Sequence, residues 1–346
     1  MKFSVFLPTG FAREFARVPD PVQAYKTLSD LAVAAELAGY ETLWAPDHLT
    51  TIPPSHDMVF EVWSVISALA RDTSRIRLGQ MVTGNGYRHP ALLAKIASTV
   101  DVLSNGRLAF GIGAGWYEPD YVQYGYQFGT AAERLRRLGE AVQIIRSMWT
   151  QPETTFQGEY YQVTGAVNEP KGVQKPHVPL LIAGGGEKVT LRLVAQYADA
   201  CNIMDSPSVL KRKFATLERH CDQVGRDYSS IKRTATTIVI IRDSDEAARA
   251  LVPPGIEFAF PGDVGSYALV GTVETIQQRI AAYAEAGVQE LALGFEDSTS
   301  VNQIHEFADL FMPTPASRGS FSRNGAAAES NSSTERLPDV RAPQTY

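Results

Sequence analysis

Short apolar runs alternate along the chain with longer stretches in which apolar residues recur every three or four positions. The apolar runs predict eight strands, at residues 3–7, 42–45, 76–82, 108–113, 180–183, 200–204, 234–241 and 290–294. Between them, periodic positions such as Leu135, Leu138 and Val142 predict amphipathic helices. Several of the strands are apolar throughout, as expected of parallel strands covered by helices. Eight strand and helix repeats predict an α/β fold, the (β/α)8 TIM barrel.

Three segments depart from a minimal barrel. Residues 151–179 carry β-type residues punctuated by Gly and Pro, which predicts an insertion between the helix after strand four and strand five. We expect a hairpin and an irregular loop there, forming an excursion over the pocket. Residues 252–271 form a smaller irregular piece between strands seven and eight. Residues 313–346 are rich in Pro, Ser, Ala and Arg, so we predict a barrel domain over 1–312 and a disordered tail over 313–346.

Composition narrows the classes of function. The chain has 346 residues, of which 44% are hydrophobic and 20% charged, a profile typical of soluble globular proteins. A net charge of -6 disfavours nucleic acid and anionic membranes as partners. There is no apolar run long enough to span a bilayer and no signal-peptide pattern, so we expect a cytoplasmic protein. Two cysteines, Cys201 and Cys221, favour neither a disulfide framework nor a metal cluster.

A glycine-rich strand end, AFGIGAGWYEPDY, follows the fourth apolar run. It does not complete the Rossmann pattern, because the sixth position counted from Gly111 is Trp116. Active sites of barrels lie at the C-terminal ends of the strands, where Gly113 and Gly115 would let the backbone approach a flat ligand. Alternatively, the glycines relieve crowding inside the barrel. Trp116 and Tyr117 offer a wall for an aromatic ligand.

Two further strand ends carry candidate chemistry. Asp47 and His48 follow strand two, where a histidine can act as a general acid or base, bind a cofactor, or serve the fold alone. Three glycines, Gly184 to Gly186, follow strand five and precede a helix expected from near Glu187. Such a turn binds one phosphate through its exposed amides, unless it is only a flexible loop. Two basic residues, Lys188 and Arg192, either assist or are only solvated surface charges, the interpretation favoured for Lys188. After strand three, three side chains are in a position to reach the pocket: Thr83, Asn85 and His89. For His89 the alternative is that it only stabilises the turn.

Four longer motifs carry a family resemblance. They are GYETLWAPDHL, TSRIRLGQMVTGNGYRHPALLAKIASTVDVLSNGRLAFGIGAGW, PLLIAGGGEKVTLRLVAQYADACNI and GTVETIQQRIAAYAEAGVQELALGF. In order and spacing they resemble the luciferase-like monooxygenase superfamily, and within it the coenzyme F420-dependent oxidoreductases. The resemblance runs from Met1 to about Phe311.

The resemblance implies roles for individual residues. It places His48 over a cofactor ring as the catalytic residue, and a non-prolyl cis peptide at Gln80 to Met81 behind that ring. The implied cofactor-binding residues are Asp47, Gln80, Met81, Thr83, Asn85, Gly113, Gly115, Trp116, Ala183, Gly184, Gly185 and Gly186. Relatives that oxidise glucose 6-phosphate carry a glutamate at the position of Trp116. The departure favours a larger or more apolar substrate.

Three functions follow from the resemblance. The first is an F420-dependent oxidoreductase that transfers a hydride between the deazaflavin and a small organic substrate. The second is a monooxygenase that uses reduced FMN and O2, because the nitrogen at the reactive ring position of FMN supports oxygen chemistry. The third is a non-catalytic flavin-binding protein on the same barrel. The resemblance also hints at a homodimer.

Overall fold

Residues 1–313, the part of the chain that this computed structural model describes, alternate between strands and helices. The strands are β1 (Lys2–Phe6), β2 (Thr42–Ala45), β3 (Arg77–Gln80), β4 (Thr83–Gly84), β5 (Leu108–Gly113), β6 (Thr154–Gln157), β7 (Gln162–Ala166), β8 (Leu180–Ala183), β9 (Ala200–Ile203), β10 (Lys232–Ile241), β11 (Leu269–Gly271) and β12 (Glu290–Phe295). The helices are α1 (Pro21–Ala38), α2 (Val62–Asp72), α3 (Pro90–Leu103), α4 (Glu118–Gln123), α5 (Ala131–Thr150), α6 (Thr190–Tyr197), α7 (Pro207–Val224), α8 (Asp245–Arg249), α9 (Val264–Tyr267), α10 (Val273–Glu285) and α11 (Val301–Phe311). The predicted tail, 313–346, falls outside the described residues except for Pro313.

Eight parallel strands close a barrel. In order around the barrel they are β1, β2, β3, β5, β8, β9, β10 and β12, and β12 pairs with β1 to complete the circle. All eight predicted strands are confirmed, and so is the TIM barrel. Two short strands are additions: β4 extends the pairing along β5, and β11 pairs with the last residues of β10. Residues 252–271, which the sequence left irregular, contain α9 and β11.

Two apolar clusters lie on opposite sides of the barrel wall. The larger joins outward-facing strand residues such as Leu43 and Leu78 to the helices. The smaller consists of strand residues that face the barrel interior, Trp44, Met81, Ala109, Leu181 and Ala292. Near the N-terminal ends of the strands the interior is polar, because buried Glu290 accepts hydrogen bonds from Ser4 Oγ at 2.5 Å and Trp44 Nε1 at 3.2 Å and pairs with Lys232. These contacts close the end of the barrel opposite the candidate site.

The predicted insertion contains the expected hairpin, with β6 and β7 antiparallel. The residues after it do not lie over the pocket. They run along α3, where Lys95 Nζ donates to Glu169 O at 2.6 Å, and Gln174 Nε2 reaches Leu108 O at the start of β5 at 2.7 Å. Because β8 is parallel to β5, the chain must return to the N-terminal end of the barrel, and residues 167–179 make that return. The excursion over the pocket is therefore wrong for this part of the insertion.

Candidate active site

His48 lies at the C-terminal end of the barrel among aromatic rings. Phe11 stacks on it with centroids 4.9 Å apart and planes inclined by 14°. Trp116 and Tyr117 approach it edge to face, at 5.6 and 5.7 Å. The histidine is 8% exposed, whereas Trp116 is 51% exposed. One face of the imidazole is thus covered by Phe11, and the aromatic surface open to a substrate belongs mainly to Trp116.

A buried carboxylate, Asp120 on α4, holds His48 in place. Its Oδ2 lies 2.8 Å from His48 Nδ1 and accepts from the hydroxyl of Tyr87 at 2.9 Å. Its Oδ1 accepts from the backbone N–H groups of Leu49 and Thr50 and from Thr50 Oγ1, at 3.2, 2.8 and 2.6 Å. Sequence reasoning missed Asp120. The available signal was an acidic residue four positions after Trp116, at the end of the barrel where His48 was expected.

The hydrogen bonds to Asp120 determine its ionisation. Burial alone would raise the pKa of this carboxyl, but hydrogen bonds from His48, Thr50 and Tyr87 outweigh burial and hold its pKa below the ordinary 3.8. The carboxylate is therefore charged at neutral pH. A charged carboxylate only accepts hydrogen bonds, so His48 Nδ1 donates to it.

The lowered pKa of Asp120 predicts acid-sensitive stability. The unfolded chain takes up the proton at the ordinary pKa near 3.8, above the folded value. The contribution of the carboxylate to the free energy of unfolding is therefore complete above about pH 5 and is lost as the pH falls through the folded pKa. Urea unfolding from about pH 6 to about pH 2 measures this loss. The free energy of unfolding of wild type should exceed that of Asp120→Asn near pH 6, and the difference should shrink on acidification. A difference in the free energy of unfolding that does not change with pH would contradict the lowered pKa of Asp120.

A second carboxyl, Glu14, belongs to the loop after β1 and interacts electrostatically with His48. Burial raises the pKa of Glu14, although backbone N–H groups, including that of Ala12 at 2.9 Å, oppose the rise. The site therefore pairs a carboxylate that stays charged with a carboxyl that more readily holds a proton. Sequence reasoning also missed Glu14, which lies outside every motif that pointed to the site.

Asp47 and Thr83 hold the loop after β3. Asp47 Oδ2 accepts from Thr83 Oγ1 at 2.6 Å, from Gly84 N at 3.1 Å and from Arg88 Nη1 at 2.6 Å. The Thr83 hydroxyl in turn accepts from Trp63 Nε1 of α2 at 3.2 Å. Both side chains are buried and directed to these protein groups. Their contacts join β2, α2 and the loop before α3.

The non-prolyl cis peptide joins Met81 to Val82, one bond later than predicted. Met81 N still donates to Ala45 O at 3.0 Å, so the β3 pairing continues through that amide and the chain leaves the sheet after it. Gln80 lies opposite Ala45, on the side of the sheet that packs against the helices. Its buried side-chain amide has no hydrogen-bond partner among residues 1–313. Met81 belongs to the interior cluster, and Val82 packs against that cluster.

The glycines of β5 make room for the residues around the cis peptide between Met81 and Val82. A Cβ at Gly111 would lie 2.1 Å from Gln80 O, and a Cβ at Gly113 would lie 2.7 Å from Val82 Cγ2. Gly115, with φ +84°, would place a Cβ 1.9 Å from the hydroxyl of Tyr121. Protein atoms therefore occupy the space that these glycines leave. Relief of crowding, the alternative kept open by the sequence, accounts for them without a ligand.

The loop after β4 meets the inserted hairpin. Asn85 Nδ2 donates to Tyr161 Oη at 3.3 Å, and Asn85 Oδ1 is buried without a partner in the described part of the chain. His89 caps α3, because its Nδ1 accepts from Ala91 N at 3.3 Å. Its ring packs edge to face against Tyr161. Asn85 thus offers a free acceptor near the site, whereas His89 is engaged in the helix cap.

The predicted glycine turn lies between β8 and α6. Ala183 ends β8, and Gly184 follows in a left-handed conformation with φ +124°. A Cβ at Gly185 would lie 2.4 Å from Lys213 Nζ, and a Cβ at Gly186 would lie 2.9 Å from Thr190 Oγ1. The turn thus has an ammonium group on one side and a hydroxyl on the other.

The surroundings of this turn suit a phosphate. Lys213 on α7 is held by Asp205 Oδ2 at 3.0 Å and is mostly buried. Thr190 is 6% exposed, and no hydrogen bond engages its hydroxyl among the described residues. Thr190 is the first residue of α6, which begins three residues later than predicted. The positive end of the α6 dipole therefore points at the turn. The two basic residues expected to assist, Lys188 and Arg192, are exposed, and Lys213 was missed.

Comparison with known proteins identifies the family. Residues 1–261 match the family model described as luciferase-like monooxygenase. The chain belongs to this family. The resemblance found in the sequence motifs is confirmed at that level, and no helix within residues 1–313 combines the length and apolar character required to cross a membrane.

Relatives within the luciferase-like family use two kinds of cofactor. An F420-dependent glucose-6-phosphate dehydrogenase of Amycolatopsis mediterranei is 33% identical over 178 residues, 50% of this chain and 50% of that protein. An FMNH2-dependent dimethylsulfone monooxygenase of Pseudomonas fluorescens is 26% identical over 302 residues, 77% of this chain and 80% of that protein. The chain thus spans about half the length of the first of these relatives. A solved F420-dependent secondary alcohol dehydrogenase, 21% identical, superposes with a TM-score of 0.74 over 90% of this chain and 98% of that one, which shows the shared fold.

Proposed function

We propose that this chain is an F420-dependent oxidoreductase that transfers a hydride between the deazaflavin and a small organic substrate. The observation that carries the proposal is the pair of His48 and Asp120 at the C-terminal end of the barrel, next to the exposed ring of Trp116. Relatives named as F420-dependent dehydrogenases, at 33% and 35% identity, support the choice of cofactor.

The residues of the glycine turn fit the phosphate of the cofactor. The backbone of Gly184 to Gly186, the ammonium of Lys213 and the unpaired hydroxyl of Thr190 would hold it. Ala183 and Val82 pack with the interior cluster of the barrel and would lie under the ring. When bound, F420 supplies a ring carbon that accepts or donates a hydride.

His48 handles the proton of this proposed reaction. When a substrate hydroxyl is oxidised, its carbon gives up a hydride and its oxygen gives up a proton. Because Nδ1 of His48 donates to Asp120, the other ring nitrogen, Nε2, is left to accept that proton. In the reverse direction the same atom returns the proton to the carbonyl oxygen. Phe11, Trp116 and Tyr117 limit access of water to the imidazole.

The aromatic surroundings of His48 favour an apolar substrate over a sugar phosphate. The wall beside His48 is formed by the rings of Phe11, Trp116 and Tyr117. Two arginines of this region have carboxylate partners: Arg13 pairs with Asp57, and Arg88 pairs with Asp47 and Glu61. Arg134 instead donates to the backbone carbonyl groups of Gly115 and Gly129. A phosphate on the substrate would compete with these carboxylates for Arg13 and Arg88.

Replacing Trp116 with alanine tests the proposed substrate class. We expect Trp116→Ala to raise KM for an aromatic alcohol or ketone about tenfold, because burying a ring against Trp116 contributes roughly 1 to 2 kcal/mol. Its kcat should change less, since the ring does not move the proton. Steady-state kinetics with benzyl alcohol and a short aliphatic alcohol as a matched pair would check this. Equal KM changes for the two alcohols would contradict an aromatic contact.

The activity itself is tested with purified protein and F420. We expect F420 to be reduced in the presence of one or more members of a panel of alcohols, and reduced F420 to be oxidised by the corresponding carbonyl compounds. Glucose 6-phosphate should be a poor substrate. Failure of every alcohol and carbonyl compound in both directions would count against the proposal.

A second candidate is a monooxygenase that uses reduced FMN. It is favoured by the Pseudomonas fluorescens relative, which matches over more of the chain than the F420-dependent relatives do. The glycine turn suits the phosphate of FMN as well as that of F420. Rapid O2 consumption by the protein with reduced FMN, coupled to product formation, would favour this candidate.

A further inference from the structure

Two loops and a helix meet at the carboxylate of Asp120. The loop after β2 contributes His48, Leu49 and Thr50, the loop before α3 contributes Tyr87, and Asp120 itself lies in α4 after β5. Five donors from these loops converge on one fully buried side chain. A surface carboxylate that only caps a helix would not require five hydrogen-bond donors.

We propose that Asp120 is a positioning residue that sets the tautomer of His48, with the hydrogen on Nδ1 and a free lone pair on Nε2. The catalytic consequence of this role rests on the function proposed above, whereas the tautomer itself does not. The assignment follows from the donor inventory of Asp120, because a carboxylate with donors on both oxygens offers only lone pairs to the histidine.

The packing around His48 keeps the imidazole in this orientation. Phe11 stacks on the imidazole ring, and Trp116 and Tyr117 pack edge to face against it with interplanar angles of 80° and 78°. Rotation of the ring by half a turn about its Cβ–Cγ bond would therefore meet three aromatic neighbours. No hydrogen bond joins Nε2 to residues 1–313, so this atom is left for a substrate oxygen.

The isosteric change Asp120→Asn should reverse the tautomer. The amide oxygen of Asn can keep accepting from Leu49, Thr50 or both, and its NH2 group would then donate to Nδ1 of His48. The hydrogen of the neutral imidazole would move to Nε2, which could no longer accept a proton from the substrate. A histidine held in the wrong tautomer loses most of its value as a base, so kcat should fall at least about 100-fold.

Nitrogen NMR of the protein without cofactor reads the tautomer directly. In protein labelled with 15N-histidine, His48 is assigned by its absence in His48→Gln. We expect the Nδ1–H form in wild type and in Tyr87→Phe, which removes one donor to Asp120 but keeps its charge. We expect the Nε2–H form in Asp120→Asn. Tyr87→Phe should lower kcat by less than about tenfold.

The outcomes separate this role from the proposed function. An Nε2–H form in wild type, or an unchanged Nδ1–H form in folded Asp120→Asn, would overturn the role of Asp120. If Asp120→Asn does not fold, the wild-type and Tyr87→Phe spectra decide the question alone. If the tautomers are as expected but wild type does not turn over F420, the role of Asp120 stands and the proposed function fails.

Discussion

Replacing His48 with alanine is expected to lower turnover with F420 by about 10² to 10⁴, the usual contribution of a group that transfers a proton in the transition state. Cofactor affinity should change little, because the proposed phosphate contacts lie at the glycine turn after β8. The fold should persist, since Asp120 keeps its donors from Leu49, Thr50 and Tyr87. Steady-state kinetics and thermal unfolding of the same preparations would measure both effects.

Two companion variants sharpen the interpretation of His48→Ala. His48→Asn keeps a donor for Asp120 but cannot carry the proton, so it should bind F420 and remain as slow as the alanine variant. His89→Asn is the matched control, because His89 caps α3 and asparagine is itself a favourable N-cap residue. Normal turnover by His48→Ala, or an equal loss in His89→Asn, would remove His48 from the chemical step.

Blocking the glycine turn should weaken cofactor binding by about 10- to 100-fold. A side chain at Gly185 would displace the ammonium of Lys213, which lies 2.4 Å from the position of the new Cβ. A charge-assisted hydrogen bond contributes roughly 1.5 to 3 kcal/mol, which corresponds to losses of this size. We therefore expect Gly185→Val and Lys213→Met to raise the Kd for the cofactor in isothermal titration.

The control for the turn is Gly139→Ala on α5. A Cβ there would meet Leu193 Cδ2 at 3.5 Å, an ordinary contact, so both stability and cofactor affinity should be retained. Thermal unfolding of all three variants separates a binding defect from a folding defect. If Gly185→Val and Lys213→Met fold and bind the cofactor as tightly as wild type, the phosphate lies elsewhere.

The barrel architecture could be predicted from the sequence for two reasons. Apolar residues recur with different periods in strands and in helices, and each of the eight buried parallel strands appears in the sequence as an apolar run. The location of His48 and of the glycine turn followed from the same pattern, since every strand end of a parallel barrel faces one side. The directions of the side chains did not follow. Thr83 comes after the bulge at Met81 and Val82, and its hydroxyl is directed to Asp47 and Trp63.

The partners of the predicted residues were hidden for a different reason. Asp120 and Lys213 reach the site from α4 and α7, so their positions depend on how helices pack against loops distant in sequence. The periodicity of a helix shows which face is buried but not which loop that face meets. The cis peptide between Met81 and Val82 follows the last hydrogen bond of the strand, from Met81 N, and where that bond falls is a property of the folded sheet.

Anaerobic titration of one preparation with F420 and with FMN tests the central claim most directly. We predict that F420 binds at least about tenfold more tightly than FMN, a difference of about 1.4 kcal/mol, and that the bound F420 is reduced when a suitable alcohol is added. Tighter binding of FMN, together with O2 consumption by the protein with reduced FMN and no reaction with F420, would contradict the account.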